Sequence, residues 1–289
     1  MKLEISHLTR YLYEEPVIKS VNEIRLTPKT NHRQSCYHHS IVIEPAVSTF
    51  SYDDFFNNHV YSFSIYEPHK EIEIKAHSIV VTHEIERTES QIIPFREELK
   101  VLRSEEFQND YAEYLTTTNY ISLTPAIVNF AEEIRNSRSV TSIHELLEQI
   151  SAIIYSYFTY DPQVTHVYTT VTDFLTMKRG VCQDYAHLMI AICKYFHIPA
   201  RYVSGYHYVS DLQGGLADFT QASHAWVEAF VPYIGWVGFD PTNNGNINER
   251  YVKLGHGRDY SDIVPMKGIY RGTDRQNLAV IVDVRKIED

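Results

Sequence analysis

Cys182, His224 and Asp240 are the three residue types that thiol-based acyl chemistry requires. In such chemistry a thiolate attacks a carbonyl carbon, an imidazole moves the proton, and a carboxylate orients the imidazole. Gly180 and Val181 precede Cys182, after which Tyr185, Met189, Ile192, Cys193 and Phe196 recur at the spacing of one helix face until Pro199 closes the run. The thiol therefore opens a helix, where free backbone N–H groups and the helix dipole favour a thiolate. Its face packs inward, so the sulfur should line a cleft wall. Asp184 complements the dipole but adds negative charge beside the sulfur, which calls for a cation close by, and His224 is the candidate. Cys193, mid-helix on the apolar face, reads as a buried core residue.

His224 opens the strand SHAWVEAF, and Asp240 closes the strand GWVGFD before Pro241 stops it. VPYIG at 231–235 reads as the hairpin turn between them, centred on residue 233. About that centre His224 faces Thr242, and Asp240 is its diagonal neighbour, about 7 to 8 Å away and within side-chain reach. Asp240 is expected to accept the imidazole Nδ1–H and leave the other nitrogen for the thiol. Trp226, two residues after His224, either shields the pair from water or simply packs in the core.

Two kinds of element must position these residues. The first hundred residues alternate with period two in LEISHLTRYLY, SIVIEP, VYSFSIYE and EIEIKAHSIVVTHEIE, with turns at 27–31 and 53–58, and predict an all-β, sandwich-like domain over 1–100. The charged stretch from Thr88 to Glu106, with Pro94, reads as a linker into a catalytic domain over 101–289. There Thr124 and Pro125 begin one helix, and Ser142 with Glu145 forms a capping box before another. Strands then return in ARYVSGYHYV, SHAWVEAF, GWVGFD and NLAVIVDVRKI, predicting an α+β domain with helices packed on an antiparallel sheet.

Together RGVCQDYAHLM, IPARYVSGY, ASHAWVEAF and GWVGFDPTN, with GRDYSDIVPMKGIYRG, resemble the transglutaminase-like superfamily over about residues 140–275. The first ninety residues are similar to the β-rich region preceding this domain in a bacterial branch of cysteine-protease-like members. The resemblance implies a papain-like fold with Cys182 as nucleophile, His224 as general base and then acid, and Asp240 as orienter. It also implies a thioester acyl-enzyme formed at an amide or peptide bond and resolved by water or by a primary amine. The partner is then a peptide or protein substrate, with an amine acceptor in the transamidating variant, and a binding module that has lost turnover is the non-enzymatic alternative. The backbone N–H of Cys182 is one natural oxyanion donor. For the second the sequence leaves Tyr168 and Gln183 open.

The net charge of −11 repels nucleic acid and anionic membrane surfaces. No apolar run reaches the roughly 18 residues of a membrane span. The N-terminus has no secretory pattern, and three scattered cysteines without a C-x-x-C pair fit free thiols in a cytoplasmic protein. No calcium-loop pattern is present, so no metal or cofactor is expected. His32, Cys36, His38 and His39 loosely suggest zinc spacing, but alternation along a strand sends His38 and His39 to opposite faces. The GRDY segment at 257–260 could form a cleft wall or a turn, and DLQGGLADF at 211–219 suggests a loop over the cleft.

Overall fold

The computed structural model describes residues 1–84, 93–209, 223–272 and 275–287. The chain begins with β1 (Lys2–Ile24), followed by β2 (Gln34–Glu44), β3 (Thr49–Asp53), β4 (His59–Ile65) and β5 (His69–Thr82). β1 is long enough to pair with different partners along its two halves within one seven-stranded sheet. Residues 2–12 pair with β5, whereas residues 20–24 pair with β4, and the register shifts between Leu12 and Val17. Pro16 lies in that gap, where a residue without an N–H cannot sustain a ladder. Leu3, Ile5, Ile24, Phe63, Ile72 and Ile74 fill the core of this β-rich region.

Helices α1 (Phe95–Arg103), α2 (Glu105–Asp110), α3 (Ala112–Leu115), α4 (Pro125–Ser137) and α5 (Ile143–Tyr157) follow; after the two-residue β6 (Thr159–Tyr160) come α6 (Val171–Met177), β7 (Arg179–Gly180) and α7 (Cys182–Tyr195). α1 corrects the linker expected over 88–106 for the part that is described. Its charges mask an inward face carrying Leu102 and Glu98, and the Glu98 carboxylate accepts the first N–H of α5, from Ile143, at 2.8 Å. Ser142 caps α5, accepting from the Glu145 N–H, but the expected capping box is only half formed, because the Glu145 carboxylate accepts the N–H and hydroxyl of Thr141 instead. α7 is buried on every side from Gln183 to Lys194, not on one face alone. It ends at Tyr195, four residues before Pro199, with His197 in the left-handed region.

The second sheet runs β11-β10-β9-β8-β12, all antiparallel, from β8 (Ala200–His207), β9 (Ser223–Val231), β10 (Gly235–Asp240), β11 (Gly245–Asn246) and β12 (Tyr251–Gly257). One face offers Ala200, Ala225, Val227, Ala229 and Val231 to the helical core. These small side chains let α7 lie close across the sheet. β12 is an edge strand, and its backbone groups need partners. Side-chain amides from the β-rich region provide them. Gln34 exchanges bonds of 2.7 and 2.9 Å with the Lys253 backbone, and Asn58 exchanges bonds of 2.9 and 2.8 Å with that of His256. A Cβ on Gly255 would come within 2.4 Å of Asn58 Oδ1, so this docking requires glycine there.

The last two strands, β13 (Met266–Arg271) and β14 (Gln276–Lys286), pair with β1. NLAVIVDVRKI was expected in the sheet that carries the histidine. Instead Val282 and Val284 join the core of the β-rich region, because alternation alone does not say which sheet a strand completes.

Candidate active site

Cys182 is the first residue of α7. A Cβ on Gly180 would lie 2.5 Å from Asp184 Oδ2 and 2.9 Å from the Phe174 ring, so the entry into the helix is this tight only without a side chain. Asp184 Oδ2 accepts the Val181 N–H at 2.8 Å and closes the first turn. The Asp184 carboxyl is buried, which raises it above the usual carboxylate range and weakens its opposition to a neighbouring thiolate.

The β9–β10 hairpin has the expected register, with Val231 opposite Gly235 and Val227 opposite Phe239. His224 and Asp240 meet across it, Nε2 donating to Oδ2 at 2.8 Å. The acceptor of the Nδ1–H was expected to be Asp240, and the structure corrects this. The diagonal neighbour is reached by the far end of the ring, so the carboxylate takes Nε2 and leaves Nδ1 free for a second partner. The Cys182 side chain lies close enough to His224 to help raise its imidazole. All three predicted residues are therefore brought together.

Asp240 is fully buried and held by five donors. Oδ1 accepts the backbone N–H groups of Thr242 and Asn243 at 2.9 and 3.3 Å; Oδ2 accepts His224, Asn243 Nδ2 at 2.7 Å and the Tyr251 hydroxyl at 2.9 Å. Burial would push this carboxyl up, but the charge and hydrogen bond of His224, with Asn243 and Tyr251, hold it well below the usual range. Only 8% of the His224 side chain is exposed. That burial disfavours the imidazolium, yet the Asp240 charge and hydrogen bond, helped by Cys182, raise the imidazole from 6.5 to about 10.

Asn243 and Tyr251 were not anticipated. Asn243 has a local signal, because an Asn three residues after a strand-ending Asp can fold back onto it. Tyr251 has none, since its arrival depends on β12 pairing with β8. Tyr160 and Tyr202 also lie near the sulfur. Burial, with the Cys182 charge next, raises the Tyr160 hydroxyl to about 12 and Tyr202 well above 10. Gln183, one of the two open oxyanion donors, binds the Val167 carbonyl at 3.1 Å and so secures the loop that exposes Tyr168. Trp226 is buried and lies nearly parallel to His224 at 6.4 Å, packing in the core and covering the histidine at once. Gly205 makes room for it, since a Cβ there would fall 2.5 Å from the indole.

GRDY leads into a short 3-10 turn at 260–262, and Arg258 and Asp259 help line a cavity of about 560 Å³ with Tyr120 and Tyr168. In the first region His39 bonds Ser78 and Thr27 while His38 packs at a tilt against His77, so these neighbours point apart. The loop expected at 211–219 lies outside the described residues.

A cysteine at a helix start thus lies beside a histidine and an aspartate carried on an antiparallel sheet. Residues 128–241 match the transglutaminase-like superfamily, and residues 3–81 match the bacterial transglutaminase-like N-terminal region. An uncharacterized protein of Mycobacterium leprae is 33% identical over 290 residues, covering 99% of both chains. Another, of Mycobacterium tuberculosis, is 31% identical over 99% of this chain and 93% of its own. The structure of a candidate cysteine protease from Cytophaga hutchinsonii superposes with a TM-score of 0.79 at 20% identity, over 100% of this chain and 91% of that one, and shares the fold. The chain belongs to the transglutaminase-like superfamily.

Proposed function

We propose that the protein is a cysteine hydrolase that cleaves an amide or peptide bond through a thioester acyl-enzyme. The observation that carries this reading is the contact of Cys182 with a histidine whose far nitrogen is fixed by a buried carboxylate. Cys182 Sγ attacks the carbonyl carbon, and the oxyanion forms beside the free N–H groups at the start of α7. His224 passes its proton to the departing amine, then takes one from the water that cleaves the thioester. Asp240 keeps the imidazole in one tautomer and orientation throughout.

A peptide pool incubated with the protein and with Cys182→Ala, with and without an added primary amine, tests this by mass spectrometry. Hydrolysis or deamidation by the wild type alone is the expected result. Amine incorporation in place of hydrolysis would reassign the protein to transamidation. Identical product patterns from the wild type and Cys182→Ala would refute the catalytic reading.

A further inference from the structure

A second histidine lies beside the triad without belonging to it. His207 ends β8 directly opposite Tyr251 on β12, and its ring lies flat on Tyr251 at 4.1 Å and 12°. Its ring centre is 5.5 Å from that of His224. One nitrogen from each imidazole and one oxygen of Asp240 all lie within 4.8 Å of one another. The geometry points to a reversible inhibitory site for a divalent transition metal of the Zn2+ type, formed by His207, His224 and Asp240.

Two imidazoles and one carboxylate are borderline donors that suit Zn2+, and three protein ligands leave a fourth position for water. Metal–ligand bonds of about 2.0 to 2.2 Å require donor atoms somewhat closer together than 4.8 Å. His207 can supply that movement, being partly exposed at a strand end. Asp240 need not move, because the backbone N–H groups of Thr242 and Asn243 keep its other oxygen in place. Binding is a proton-for-metal exchange. The bond from His224 Nε2 to its hydrogen breaks, the proton goes to water, and the nitrogen lone pair goes to the metal. With Nε2 on the metal, the ring's remaining hydrogen stays on Nδ1, which then cannot take a proton from the thiol, so metal occupancy and proton transfer exclude one another.

Zn2+ binding is measured on the full chain, without substrate, by calorimetry and by competition with a chromophoric chelator, and Co2+ is used as a spectroscopic substitute. The variants are His207→Phe, which keeps a ring on Tyr251, and His207→Ala. The wild type is expected to bind one Zn2+ more than either variant, or to bind it at least tenfold more tightly. It is also expected to release a proton on binding and to give a Co2+ d–d spectrum that the variants lack. Equal stoichiometry and affinity in the wild type and both variants would overturn the site, as would a wild type with no site tighter than about 100 μM. The readout needs no turnover, so a silent Cys182 would leave this result intact, and zinc-insensitive turnover would remove the metal site alone.

Discussion

Asp240→Asn changes one oxygen to an NH2 and tests how the site holds its charge. In the wild type Oδ2 accepts three donors and Oδ1 accepts two. An asparagine must turn its NH2 toward one of these groups, so at least two buried donors face another donor. At about 1 to 3 kcal/mol for each unsatisfied group, the variant should lose about 2 to 6 kcal/mol of stability. His224 would relieve one clash by moving its hydrogen from Nε2 to Nδ1, which faces the thiol and can then no longer accept a proton. Loss of the carboxylate also removes the strongest influence raising the imidazole, which should fall from about 10 to its ordinary 6.5 or below. A fall in kcat/KM of about 10³- to 10⁴-fold is expected, as for other aspartate-to-asparagine changes in such triads. Iodoacetamide labelling of Cys182 across pH 5 to 10 reads the change directly. Wild-type labelling should keep its imidazolium-assisted character into the alkaline range, whereas the variant should lose it near neutrality. An unchanged labelling profile together with an unchanged melting temperature would refute the assignment of Asp240 as orienter.

The same charges make stability depend on pH. His224 binds its proton more tightly folded than unfolded, so its contribution is complete below about 6.5 and fades as pH rises toward 10. Asp240, held below 3.8, contributes above that value and loses its contribution in acid. The melting temperature should therefore decline between pH 7 and 10, and His224→Gln should flatten that limb; an equally steep limb in the variant would contradict the coupling. Gly205→Ala puts a Cβ 2.1 Å from the Val252 carbonyl and against Trp226. Denaturant titration should show a loss of about 1 to 3 kcal/mol, with activity falling because the indole is pressed toward His224. Glu228, on the strand that carries His224, bonds Arg201 at 2.7 Å and Lys253 at 2.5 Å in a largely buried cluster. Glu228→Gln strands both cations and should cost about 3 to 5 kcal/mol in the same titration, whereas a loss below 1 kcal/mol would mean that the cluster is solvated.

What the sequence disclosed about this site depended on distance along the chain. His224 and Asp240 belong to one hairpin, so turn length and the two-residue period of strands were enough to place them as neighbours, and Val231 does face Gly235. Which imidazole nitrogen meets the carboxylate was not legible, because that depends on the approach of a side chain and not on register. Cys182 announced itself by its place at a helix start, but its contact with His224 spans a helix and a strand and was foreseen only through resemblance. The same limit explains the larger error. β14 has the alternation of any half-buried strand, and nothing local says that β1, more than 260 residues earlier, is its partner. Tyr251 failed to signal itself for the same reason, because its hydroxyl reaches Asp240 only after β12 has docked on β8 and on the amides of Gln34 and Asn58. The β-rich region thus bears on the chemistry through β12. It secures the strand that carries Tyr251, Tyr251 holds Asp240, and Asp240 sets the state of His224. Gln34→Ala should accordingly weaken catalysis from outside the catalytic region, and it should do so through kcat more than KM.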